Sequence, residues 1–190
     1  MKTNPTPLLL TALAAISLTA CGEKTSAPDD KASGSTAPTN AVLESAFVDA
    51  EPEGALSVVE ARKQAQPGAT LTVTGRIAGS HDPFSADFAT LVLADDALRT
   101  CERIPGDSCS TPWDACCVDP KEIAAQRLTI QVVGEDGRPI DQSLKSVNGL
   151  TELDTLVVTG TVAEGSNAEN LVLNATRIFA KPGDHGEERS

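Results

Sequence analysis

The chain has 190 residues, and its 27 acidic side chains outnumber 15 basic ones for a formal charge of −12. That length holds one core of ordinary size plus flexible ends. The acidic balance works against nucleic acid and anionic surfaces unless a basic patch is segregated, and Arg62-Lys63 is the only adjacent basic pair.

Lys2 and the α-amino group form a short positive stretch, followed by an apolar run from Leu8 to Leu18 broken by Thr11 and Ser17. Such a run covers roughly half of a ~30 Å hydrocarbon core, so it reads as the h-region of a signal peptide rather than a spanning helix. It ends in Leu18-Thr19-Ala20-Cys21. This phrase resembles the lipobox of bacterial lipoproteins, in which the peptide is cut before the cysteine and lipid is attached to its thiol. The resemblance implies a signal peptide over 1–20 and a membrane anchor at Cys21, held by the two or three acyl chains that stable attachment needs. Gly22, where an Asp would act as a retention signal, implies the outer membrane, facing the periplasm.

Residues 21–56 are dominated by Ala, Ser, Thr, Pro, Asp and Glu without apolar periodicity, which predicts a disordered acidic tether. As a coil it would span about 30–35 Å. The folded domain is expected over 57–182, with 17 acidic and 11 basic residues. A polar tail, 183–190, ends the chain.

Ser57-Val58-Val59-Glu60 has the spacing of a capping box, and the sequence after it predicts a short helix stopped by Pro67-Gly68. Five strands are then predicted: Leu71 to Ile77 by strict alternation, Phe88 to Ala94, Leu128 to Val133, Thr155 to Ala163, and Asn170 to Ala180. Gly134-Glu135-Asp136-Gly137 and Gly165-Ser166-Asn167 read as turns. A helical piece is expected between the third and fourth strands, around Leu144 to Asp154, although Asn148-Gly149 interrupts it.

Five strands in this order resemble the OB-fold barrel, with Gly75 where the first strand bends and Leu150 to Val162 as the fourth. The fold class expected is therefore all-β: a five-stranded OB-fold-like barrel with a short N-terminal helix and a cysteine-rich insert between the second and third strands. A small sandwich is the structural alternative. The resemblance is to small exported bacterial OB-type proteins, and it implies no assigned activity.

The insert, 99–127, carries four of the five cysteines and the only Trp. Loops of this length are functional or cross-linked. Its phrase Thr111-Pro112-Trp113-Asp114-Ala115-Cys116-Cys117 resembles one found in those same exported proteins. Three readings of the thiols compete. In an oxidising compartment an even count suggests two disulfides, with Cys101 and Cys109 each joined to one of Cys116 and Cys117, the pairing left open. Four thiolates also suit zinc or iron, although the C-x-x-C knuckles that usually present them are absent. Redox chemistry through a vicinal pair is the third, with Asp114 and Asp119 opposing a low thiol pKa. The disulfide reading is adopted, and no metal or cofactor is assigned.

Trp113 is read as a lid packing the loop onto the barrel; with Phe84 and Phe88 it is also a candidate ligand platform. His81-Asp82 reads as a solvated turn, Asp95-Asp96 as two solvated acids at a strand end, and Asn174-Ala175-Thr176 as a chance match to a glycosylation site. No G-x-S-x-G, P-loop, H-E-x-x-H or C-x-x-C-H motif occurs. The sequence therefore predicts a non-enzymatic, lipid-anchored binding or scaffold module of the cell envelope, whose partner is an envelope protein or polysaccharide. The alternatives are a metal- or thiol-active protein using Cys101, Cys109, Cys116 and Cys117, and an oligonucleotide-binding OB-fold. With no Tyr and few cations, nucleic acid is not the expected ligand.

Overall fold

The strand phrases close on one another. In a computed structural model of the chain, residues 37–181 are described, all within one unit, Ser35–Ser190. The expected signal peptide, Cys21, most of the tether and the tail lie outside the described residues. Among those described, no helix is long and apolar enough to cross a membrane.

Six strands form one sheet: β1 (Leu56–Ser57), β2 (Thr70–Ile77), β3 (Thr90–Ala94), β4 (Arg127–Gln131), β5 (Thr155–Val162) and β6 (Val172–Lys181). Their order is β1-β2-β3-β4-β6-β5, and β2 also pairs with β5. That pairing, from Thr70↔Thr161 to Arg76↔Thr155, closes β2 to β6 into a five-stranded OB-like barrel. β4 and β6 run parallel, and β1 adds to β2 as a parallel stub.

Alternation decides what points inward. Val73 and Ile77 of β2, Leu91 and Leu93 of β3, Leu128 and Ile130 of β4, Leu156, Val158 and Val162 of β5, and Leu173 and Ile178 of β6 are all buried in the main core. Two glycines let the strands approach. A Cβ on Gly75 would sit 2.5 Å from the Ala94 carbonyl oxygen, and one on Gly160 would strike the Asn174 carbonyl. Gly160 also marks the register shift between β5 and β6, so the bend expected at Gly75 has a counterpart at a bulge.

The predicted capping box is present. Ser57 Oγ accepts from Glu60 N–H at 3.2 Å, Glu60 Oε2 accepts from Ser57 N–H at 3.1 Å, and α2 (Val58–Gln64) buries Val58 and Ala61. Asp95 adds to this cap, its Oδ2 accepting from Val59 N–H at 2.9 Å while Oδ1 accepts from Ala97 N–H. Asp95 is thus buried and structural, which corrects its reading as a solvated acid; Asp96 beside it is exposed.

Two further expectations are corrected. The stretch read as tether up to residue 56 contains α1 (Ala37–Ala46), which buries Leu43 and Ala46 in the main core; Phe47 then bridges in parallel to Ile178. Leu43, Ala46 and Phe47 have i, i+3, i+4 spacing, one apolar face of a short helix. Between β4 and β5 there is no α-helix. Ile140, Leu144 and Leu150 plug the core from an irregular segment with a single 3-10 turn, Val147–Gly149, because Ser146 and Asn148 take left-handed backbone at φ 66° and 51°.

Candidate functional site

The insert between β3 and β4 is joined to the barrel at two points and folded on itself at two more by backbone hydrogen bonds. Gly79 N–H donates to the Trp113 carbonyl at 2.9 Å, Cys101 N–H to Asp114 at 2.8 Å, Glu102 N–H to Pro112 at 3.0 Å, and Asp95 N–H to Gln126 at 2.8 Å. A 3-10 turn, Cys101–Arg103, opens it. Near its end, α3 (Pro120–Ala125) has Pro120 in its first turn and Asp119 Oδ1 accepting from Lys121 N–H. Beneath the loop lies a second apolar cluster of Ala78, Ala94, Leu98 and Ala115, with Trp113, Val118, Ile123 and Leu153 packed against it.

Trp113 is therefore a lid, with its indole N–H donating to the His81 carbonyl at 2.9 Å. The three aromatic side chains proposed as a platform occupy different settings. Phe84 is buried in the main core, Trp113 packs on the second cluster, and Phe88 is exposed. Burial removes the Phe84 ring from any stacking role. His81 and Asp82 converge, contrary to expectation, with Nδ1 to Oδ2 at 3.0 Å; both side chains are solvated, and the Asp82 hydrogen bond raises the imidazole pKa.

An arginine ties the insert to strand β2. Arg76 donates to Glu102 Oε1 and to Thr100 Oγ1, both at 2.7 Å, and its Nε lies 3.5 Å from Asp96. Thr100 is fully buried and donates in turn to Glu102 Oε1. Arg103 holds the other side of the turn, pairing with Asp96 through side chain and carbonyl.

The thiols are the chemistry-bearing groups. All four are free, so the expected disulfides are not formed in this structure. Cys101 Sγ lies 3.6 Å from Cys116 Sγ, whereas a bond needs about 2.05 Å. The sulfurs of Cys101, Cys109 and Cys116 all lie within 4.8 Å of one another. Cys117 stands outside that trio, its sulfur 3.8 Å from Cys116 Sγ. Chain reversal at Gly106, with φ 81°, and the Thr111-to-Asp114 turn bring Cys109 back over Cys101.

No protein-family model matches the chain, and no curated protein matches it. Among solved structures, the hypothetical protein ygiW from E. coli is similar over 68% of this chain and 94% of its own, at 16% identity and a TM-score of 0.34.

The three clustered thiols differ in environment. Burial pushes Cys101 up to about 12, reinforced by its neighbours Cys116 and Cys109. Cys109 is lowered, first by the Thr111 hydroxyl, 3.3 Å from its sulfur, and then by the Thr111 backbone. At Cys116, the lowering contact with Cys101 is outweighed by Cys117, burial and nearby charge, for a net rise. Thiolate fraction and access set alkylation rates. In reduced, metal-free protein, limiting iodoacetamide at pH 7.5 (about one equivalent) is expected to label Cys109 first and Cys101 last, as peptide mass mapping will report. Equal labelling of the two would contradict the buried placement of Cys101.

A groove among the described residues lies elsewhere. It encloses about 640 Å³ between Leu43, Glu44 and Phe47 on one side and residues 142–148 on the other, and no insert residue lines it.

Proposed function

We propose that the chain is a non-enzymatic, lipid-anchored protein of the cell envelope: a binding module held to the outer membrane, on its periplasmic side, by lipid on Cys21, with the cysteine insert as its binding element. The observation that carries the binding role is the position of the insert. The barrel interior is filled by its own Val, Leu and Ile side chains, which leaves binding to its surface. The insert is the part of that surface that is both rigidly mounted and chemically distinctive. Packing of this kind fixes a loop's geometry before a ligand arrives.

The anchor is supported by the h-region and by Leu18-Thr19-Ala20-Cys21 directly after it. α1 begins at Ala37, so the stretch between Cys21 and the first described helix is shorter than composition alone suggests. The partner on this reading is an envelope component and not nucleic acid, for which the acidic domain has few cations to release counterions.

Metabolic labelling with palmitate tests the anchor. The wild-type chain should take up label and sediment with membranes. The Cys21→Ser chain should do neither, remaining uncleaved precursor or soluble product with an unchanged far-UV spectrum. Labelled lipid on the Cys21→Ser chain would refute the anchor.

A further inference from the structure

We propose that Cys101, Cys109 and Cys116 bind a closed-shell thiophilic cation, Zn²⁺ or Cu⁺, through three thiolates. This deepens the proposed binding role by naming its ligand class, and rests on that reading only in placing the role in the insert.

The sulfur spacing is the first support. A cation about 2.3 Å from each sulfur in a tetrahedral array sets neighbouring sulfurs about 3.8 Å apart. The 3.6 Å separation of Cys101 and Cys116, with Cys109 within 4.8 Å of both, falls near that value. It is far from disulfide length. Soft thiolates select Zn²⁺ and Cu⁺ over hard cations such as Mg²⁺ or Ca²⁺.

The second support is how the three side chains are held. They come from separate turns, two of them tied to Asp114. Cys101 is anchored by its N–H on Asp114, Cys109 by its N–H on Asp107 Oδ1 at 2.7 Å, and Cys116 follows Ala115, whose N–H is held by Asp114 Oδ1 at 2.7 Å. Cys101 is buried, Cys109 half-buried and Cys116 exposed, so the cluster has a closed floor and an open mouth. An ion can enter from solvent, and a fourth tetrahedral position stays available to water. As each sulfur–metal bond forms, its thiol releases a proton to solvent, so uptake weakens as pH falls.

Cys117 lies outside the mutual cluster, and the three-thiolate site does not need it. The full-length chain, detergent-solubilised and reduced under nitrogen, is titrated with Zn²⁺ or with Co²⁺ as its spectroscopic stand-in, and separately with Cu⁺ against a chromophoric chelator. One equivalent should bind, with Co²⁺ giving thiolate-to-metal charge-transfer absorption. Cys109→Ser and Cys116→Ser, both outside the packed core, should weaken binding more than about 100-fold, beyond what loss of a supporting group does. Cys117→Ser should leave affinity within about threefold. Preference for Zn²⁺ or for Cu⁺ identifies the ion within the class. Failure of the reduced wild-type chain to bind either ion would overturn the inference, as would Cys117→Ser losing affinity as severely as the other two. Palmitate labelling at Cys21 is read separately, so a failed metal site and a failed anchor are distinguishable.

Discussion

Replacing Gly160 with valine is expected to leave the barrel unable to close. A Cβ there would strike the Asn174 carbonyl oxygen and come within 3.0 Å of the Asn174 carbonyl carbon and Ala175 Cα. All three are backbone atoms of β6, already fixed by pairing with β5. A clash with the end of a side chain relaxes by rotation, but a clash with paired backbone can relax only by parting the strands. Overpacking typically costs about 1–3 kcal/mol when neighbours can shift. Here they cannot, so about 3 kcal/mol is the expected minimum, a large share of the 5–15 kcal/mol typical of domains. Gly165 is the control, since a Cβ there meets nothing within 4 Å and its φ is not left-handed. Gly165→Ala should stay within about 0.5 kcal/mol of wild type. Urea unfolding followed by far-UV circular dichroism measures both, and a Gly160→Val chain with a wild-type midpoint would refute the close approach of β5 and β6.

Glu102→Ala is the second large effect, and it should be worse than Arg76→Met. Arg76 is 11% exposed and depends on Glu102 and Thr100 for its hydrogen bonds. Without the carboxylate, a nearly buried guanidinium keeps only Thr100 and the longer contact to Asp96. Removing one member of a buried pair costs about 3–5 kcal/mol. Glu102 retains 26% exposure, which places the expected loss near the lower end. Arg76→Met removes the charge and fills the same space, while Glu102 can still accept from Thr100 and reach water; its cost should be about 1 kcal/mol or less. Thermal unfolding of the two variants reads the order. Reversal of that order would mean that the arginine serves packing rather than the pair.

The barrel was legible because its signal is local and periodic. Thr70–Ile77 alternates cleanly, and Ser57 with Glu60 spells its cap in four residues. The two glycines stand where apolar strands need close backbone approach. What escaped reading depended on tertiary context. α1 is hidden within an Ala- and polar-rich composition, and only the spacing of Leu43, Ala46 and Phe47 marks the face that β6 covers. Asp95 looks like any acid at a strand end, because the N–H it accepts from belongs to Val59, far away in sequence. The insert was recognised by its cysteines, but their convergence was not. Spacings of seven, six and zero residues have no knuckle pattern, and the thiols meet only because Gly106 and the Thr111-to-Asp114 turn fold the loop back on itself.

The seam between β2 and β5 also constrains how the molecule can be made. It joins Thr70 to Thr161, so nearly the whole domain must be synthesised before the sheet can become a cylinder. Folds dominated by such distant pairings assemble in milliseconds to seconds, orders of magnitude more slowly than helical bundles. A chain emerging N-terminus first would pass through a stage in which β2, β3 and β4 form an open sheet, with the outer edges of β2 and β4 both lacking their partners and free to seek another chain. β5 covers the β2 edge and β6 the β4 edge, and β6 also pairs with β5. The last strand is thus the stave that tightens the barrel, and a chain shortened by only that strand loses its pairings to β4 and to β5 at once, and with them the closed cylinder.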